Sequence, residues 1–243
     1  MNTYLLEGAL SVKAVLEVDA RPRYRLLLAE DLDSPDVNYM LALAKQKNVP
    51  VQRLERARID ELAFKSTHGG VLMDVGDRIS QSLDALDPLK HRRLLWIEGV
   101  EDPYNLGQMM RSAYLAGFDG VILAPRDWSK NTSIVLKSSA GTFERLALFE
   151  GTREADVNAL KAQGYALWVS HRGAGAKDYR RVDYPEQLIL CVGGERRGLS
   201  RALLNAADET VHIPYPRAGR VALGAVSACA LLVFEATRNQ GQL

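Results

Sequence analysis

The sequence is short of several things, and each shortage closes off an explanation. It has two cysteines in 243 residues, Cys191 and Cys229. That is too few for a disulfide framework, and both fall in apolar runs, where a thiol is an ordinary core residue. Four histidines are scattered without metal-ligand spacing, so no metal centre is expected. No uninterrupted apolar run approaches the ~20 residues that cross a bilayer. The opening MNTYLLEGAL lacks a basic stretch ahead of an apolar core. A cytoplasmic protein with no membrane partner is the expectation. Net charge is scarce as well: 31 Lys and Arg against 30 Asp and Glu leave +1. This excludes an extreme polyanion binder and leaves room for a local basic surface. No G-x-G-x-x-G follows a first strand, which argues against a nicotinamide-type dinucleotide domain.

What the sequence does contain is an alternation of strand-like and helix-like patterns. A chain of 243 residues can bury a full core in one or two domains. Residues 8–18, 35–47 and 56–64 have a helical period, with Ser34 available to cap the second helix. Residues 24–29, 49–54 and 70–75 read as strands. Residues 1–75 therefore form a small α/β domain. Residues 76–92 mix charges around one proline with little periodicity, and are read as a linker. A second α/β domain over 93–243 follows, with strands at 94–97, 120–123, 146–149, 165–170, 188–192 and 211–214. Its helices are expected at 105–117, 153–163, 201–207 and 223–238. Strands and helices alternating through short connections predict a mostly parallel sheet with helices on both faces.

The most informative stretch of this second domain is LILCVGGERRGLSRALLNAAD, residues 188–208. A five-residue apolar strand runs into Gly193 and Gly194, then Glu195, two arginines and Gly198. Ser200 can cap the next helix. Open α/β sheets bind ligands where a strand ends in such a turn, because glycine backbone can approach a ligand closely. Two other segments put special residues at strand ends. One is EGVEDPYNLGQMMRSAYLAGFDGVIL, residues 98–123, with Asn105 as an N-cap type and Arg111 almost two turns further along. The other is HIPYPRAGRVALGAVSACALLVFEATR, residues 212–238, where a Pro/Gly loop leads into a helix apolar nearly all round. Such a helix is buried, against the sheet or against a partner subunit.

These three segments, in this order and spacing, resemble the signature motifs of the SpoU (TrmH) branch of the SPOUT RNA methyltransferases. DPYNLGQMMRSAYLAGFDGVI carries Asn105 and Arg111 at the family's Asn and Arg, and VGGERRGLS carries Glu195 at its Glu. IPYPRAGRVALGAVSACALLVFEATR resembles the third motif, and SSAGTFERL the family's Ser-Ala-Gly segment. Residues 1–75 resemble, more weakly, a ribosomal-protein-like substrate-binding domain.

The resemblance implies a parallel sheet with a deep trefoil knot near its C-terminal end, a rare exception to unknotted topology. It implies a homodimer that binds S-adenosylmethionine in the knot, against Gly193, Glu195, Gly198, Ile213 and Leu223. It implies 2′-O-ribose methylation of ribosomal or transfer RNA, with Arg111 as the catalytic residue and Asn105 and Glu195 holding Arg111 and the loops in register. Phosphate contacts are expected from Arg172 and Lys177, in the basic loop with Arg180 and Arg181. Others are expected from Arg196 and Arg197, with Arg217 and Arg220 beside the same pocket. The third motif departs from the family pattern. Ala222-Leu223-Gly224-Ala225-Val226 stands where members read Ser-Leu-Asn-Val-Ser, with Pro216-Arg217-Ala218 inserted ahead of Gly219. The departure makes a SpoU-like RNA-binding protein with weak or no methyl transfer the alternative to an enzyme, and leaves Ser227 or Tyr215 to substitute for the missing side chains.

Overall fold

The computed structural model describes residues 2–64, 66–125, 128, 131–151, 154–217 and 221–239. In chain order the elements are β1 (Tyr4–Glu7), α1 (Ala9–Glu17), β2 (Arg23–Ala29), α2 (Pro35–Gln46), β3 (Val51–Leu54), α3 (Arg56–Leu62) and β4 (Val71–Val75). There follow β5 (Gln81–Ser82), β6 (Arg93–Glu98), α4 (Pro103–Leu115), β7 (Gly120–Leu123), α5 (Thr132–Ser138), α6 (Thr142–Arg145) and β8 (Ala147–Glu150). The chain continues with α7 (Glu154–Ala162), β9 (Ala166–Ser170), β10 (Lys177–Asp178), β11 (Leu188–Gly193), α8 (Arg201–Ala206), β12 (Glu209–His212) and α9 (Ala225–Ala236). Arg153, the expected start of α7, lies outside the described residues.

Two compact units form, and the chain passes between them more than once. One comprises Met1–Ile79 with Asp127–Arg145; the other comprises Ser80–Arg126 with Leu146–Leu243. The first holds a mixed sheet in the order β1-β4-β2-β3, antiparallel except where β2 pairs β3. Leu26, Leu28, Leu72 and Met73 are fully buried in it. Ser34 caps α2 as its sequence predicts, its hydroxyl accepting from the Val37 amide at 3.2 Å.

The segment Asp127–Arg145 joins this unit through a buried ion pair. Arg21 and Glu144, with side chains fully buried, meet in a two-pronged contact at 2.5 and 3.2 Å. Arg21 also donates to the Thr132 hydroxyl at 3.0 Å. Arg78 approaches the same carboxylate at 3.6 Å, and the Phe143 ring lies against both guanidinium groups. A charge taken so far from water is tolerable only with such partners.

The second unit holds a sheet in the order β10-β12-β9-β11-β6-β7-β8-β5, parallel at every pairing. Burial of β11 on both faces explains its unbroken apolar run. Ile189 and Cys191 point into a core with Trp96, Leu167, Val169 and residues of α7 and α8. The alternate residues Leu188, Leu190 and Val192 are buried on the other face, where α9 packs on β11 and α4.

The expected linker, 76–92, is structured. Gln81–Ser82 pairs in parallel with β8, and Leu83 and Leu86 are buried in the second unit's core. Two leucines among charged residues are too sparse to show a period, so only the tertiary packing reveals them.

The buried pair generates a stability prediction. Glu144→Gln leaves Arg21 without a counter-charge and should destabilise the protein by about 3–5 kcal/mol in urea unfolding. Glu61→Gln, which breaks the exposed Arg58 pair, should change stability by less than about 0.5 kcal/mol.

Candidate active-site clefts at the carboxyl edge of the sheet

The loops after β6 and β11 leave the sheet side by side, because the strands pair in register up to Gly193 opposite Glu98. They touch because they lack side chains. A Cβ on Gly194 would lie 2.1 Å from the Gly99 carbonyl oxygen, and one on Gly193 would lie 2.5 Å from the Gly198 carbonyl carbon. Gly99 and Gly198 adopt left-handed backbone, φ +69° and +62°, where other residues are strained. The Gly194 amide donates to the Glu98 carbonyl at 2.7 Å, and the Gly198 amide to the Gly194 carbonyl at 2.9 Å. The Glu98 carboxylate accepts from the Ser200 amide at 2.5 Å, and Ser200 in turn caps α8.

Two clefts open beside this contact. The first, of about 300 Å³, is walled by the ends of β9, β11 and β12 and the start of α9. Gly193, Glu195, Gly198, Ile213 and Leu223, the five expected cofactor contacts, all line it. So do Val192, Leu199, Ala225 and Ala228, with His171, Arg172, His212 and Tyr215 on the polar side. An apolar floor with a few polar groups suits a ligand that joins an aromatic base to a charged tail. The second cleft, of about 250 Å³, is lined by Gly99, Val100, Glu101, Asp102, Asn105 and Arg196. Gly194, Glu195 and Ala225 line both, so the two clefts share a wall.

The structure brings Asn105 and Glu195 to one cleft and leaves Arg111 out. Arg111 is exposed on α4, lines neither cleft and makes no ion pair or hydrogen bond among the described residues. Glu195 does not hold it: its Oε1 accepts from the Ala225 amide at 3.1 Å. Nor is Asn105 the cap of α4. Asp102 takes that place, its carboxylate accepting from the Asn105 amide at 2.9 Å. Pro103 at the first helical position makes this start the favoured one.

The expected phosphate contacts divide. Arg196 and Arg197 are exposed and unpaired among the described residues. Arg172 stacks on the Tyr215 ring at 4.4 Å. Lys177 pairs with Glu209, and Arg180 with Asp178, whose carboxyl it lowers to about 2. Arg217 is exposed; Ala218, Gly219 and Arg220 lie outside the described residues. The sequence reading gave no role to His171, just after β9, or to His212, which ends β12 immediately ahead of the third motif. It raised Tyr215 as a substitute in the third motif, and its hydroxyl accepts from the Leu223 amide at 3.0 Å.

Comparison with known proteins gives matches over most of the chain. The model for RNA 2′-O ribose methyltransferase substrate binding matches residues 5–78. A Staphylococcus aureus (strain COL) chain named for the TrmH family of tRNA/rRNA methyltransferases is 29% identical over 250 residues, covering 99% of this chain and 98% of that one. An rRNA methyltransferase from Sinorhizobium meliloti superposes with a TM-score of 0.81 at 22% identity, covering 99% of this chain and 88% of that one. The SpoU methyltransferase AviRb from Streptomyces viridochromogenes, solved with AdoMet, gives 0.79 at 22% identity, covering 98% and 90%. At those identities the two structures establish a shared fold. The SpoU rRNA Methylase family model matches residues 92–233, the span that contains both clefts, and the chain belongs to that family of RNA methyltransferases.

Proposed function

We propose that the protein transfers a methyl group from S-adenosylmethionine to a ribose 2′-hydroxyl of ribosomal or transfer RNA. It works as a cytoplasmic homodimer on a knotted sheet, with residues 1–75 binding the RNA. The observation that carries this reading is the convergence of Gly193, Glu195, Gly198, Ile213 and Leu223 on one cleft that shares a wall with the cleft holding Asn105. When bound, the cofactor supplies an electrophilic methyl on a positive sulfonium. Ile213, Leu223 and Leu199 cover an apolar ring, while Arg172, His171 and Tyr215 stand where polar groups would be read.

The acceptor alcohol is a poor acid whose proton leaves near the transition state. A guanidinium stays protonated in proteins and makes a poor base, so Arg111 is not cast as one. Its planar fork instead stabilises the developing alkoxide and fixes the adjacent phosphate. Because Arg111 lines neither cleft of its own chain, a second copy completes the site. Tyr104, Arg111, Tyr114 and Leu115 recur at helical spacing along α4. The apolar members, Tyr104, Tyr114 and Leu115, with Leu231 and Phe234 of α9, leave a stripe exposed on two helices that pack together. A dimer over this stripe covers it and offers each Arg111 to the partner.

The competing reading, RNA binding without transfer, rests on Gly224 and Val226 in the third motif. Labelled methyl donor and total RNA from a strain lacking the gene separate the two, because only an enzyme labels ribose. In that assay Arg111→Ala should lower transfer about a hundredfold or more, the loss typical of removing one preorganised donor. Cofactor affinity in calorimetry should barely change, and Arg111→Lys should fail almost as badly. Wild-type activity retained by Arg111→Ala would overturn the mechanism. Sedimentation should show a dimer at micromolar concentration, and Leu115→Glu with Phe234→Glu should leave single chains. RNA affinity should fall with salt, and Arg196→Ala with Arg197→Ala should flatten the log–log slope by about 1 to 2.

A further inference from the structure

We infer that Glu195 is a positioning residue that supplies the N-terminal cap α9 lacks, and that Gly224 is what makes room for it. Helix α9 opens Gly224-Ala225-Val226, and Gly224, in extended backbone at the cap position (φ −61°, ψ 154°), has no side chain to accept from the first amides. A helix start normally takes Ser, Thr, Asp or Asn there, and the family pattern has Asn at this point of the third motif.

Here the acceptor comes from 30 residues away in the chain: Glu195 Oε1 takes the Ala225 amide at 3.1 Å. A carboxylate at this position also faces the positive end of the helix. A Cβ on Gly224 would lie 2.8 Å from the same oxygen, so a side chain there requires the carboxylate, the mobile end of its side chain, to shift from its present position. A side chain at 224 and the Glu195 carboxylate in this position therefore compete.

The backbone on the other side of Gly224 is also held from outside. The Leu223 amide donates to Tyr215 Oη at 3.0 Å. Two borrowed acceptors thus fix consecutive stretches of the wall, and Ala225 on that wall faces both clefts. The altered third motif is a relocation of the capping group from position 224 to 195. It keeps the cofactor cleft in shape without the family's Asn. This role rests on the cofactor reading above, in which Leu223 and Ala225 border the ligand.

Four full-length proteins test it: wild type, Glu195→Ala, Gly224→Asn and the double variant. Each is measured for S-adenosylmethionine affinity by calorimetry and for melting temperature without ligand. Loss of one cap should weaken the cofactor roughly five- to tenfold in Glu195→Ala. Gly224→Asn, whose Cβ drives the carboxylate off the helix, should also bind more weakly than wild type. In the double variant the introduced asparagine caps a helix that no carboxylate contests, so affinity and melting temperature should recover to within about threefold and a few degrees of wild type. Glu195→Gln, which keeps an acceptor oxygen and loses the charge, should bind the cofactor more tightly than Glu195→Ala. Losses that add in the double variant overturn the proposal. So does Glu195→Gln as weak as Glu195→Ala, which would mean the charge and not the cap is used. Melting temperatures that shift while affinity stays fixed overturn the positioning role. A wild type that binds no cofactor overturns the functional reading as well, whereas binding without recovery overturns only this inference.

Discussion

The close approach of Gly194 to Gly99 is the constraint on which the rest of the site depends. Neighbouring parallel strands β6 and β11 deliver their loops to the same edge of the sheet, and side chains there would hold the loops apart. With the side chains removed, backbone packs on backbone at a distance no Cβ could survive, 2.1 Å from the Gly99 carbonyl oxygen. Overpacking of this kind costs about 1–3 kcal/mol where the surroundings can yield, and two paired backbones yield little. The contact puts Asn105, carried by the β6 loop and α4, beside Glu195, carried by the β11 loop. One glycine pair thus turns two strand ends into adjoining clefts with a common wall.

The helices behind that wall answer to a different constraint. Helix α9 is apolar nearly all round, and the sheet uses only part of it: Ala225, Cys229, Leu232, Val233 and Ala236 are buried, while Leu231 and Phe234 remain exposed. Both cysteines belong to the covered part. Burial pushes the Cys229 thiol up to about 12 and raises Cys191 well above its ordinary range. A thiol in that state is a small core side chain with almost no thiolate to react. The polar side of the larger cleft is instead formed by His171, Arg172, His212 and Tyr215.

How far the sequence could be read depended on whether the deciding partner was local. Ser34 and Ser200 cap the helices they precede, and the apolar run 188–192, ending in two glycines, is short enough to read as the buried strand it is. At the start of α4 the expected cap, Asn105, lies three residues too late: Asp102 caps the helix, because Pro103 fits the first helical position. The destination of Asp127–Arg145 was beyond local reading. Nothing in SSAGTFERL announces that Glu144 meets Arg21, 123 residues earlier, in a fully buried pair. The borrowed cap on α9 was equally hidden, because Gly224 reads as a missing side chain until Glu195 is seen occupying its place.

Charge shows the same division between composition and structure. A net charge of +1 says little about where a polyanion would bind, since what matters is which cations are already committed. Lys177 and Arg180 lie in the most basic loop of the chain, yet Glu209 and Asp178 hold both. Arg172 is turned onto an aromatic ring, where its guanidinium helps shape the cofactor-side cleft. Arg196 and Arg197 stay exposed and unpaired among the described residues because the glycine turn around them carries no acid except Glu195, which is engaged with α9. Capping the helix with that carboxylate therefore has an electrostatic consequence. It directs the loop's only negative charge toward the helix and leaves Arg196 and Arg197 without an acidic partner from their own turn.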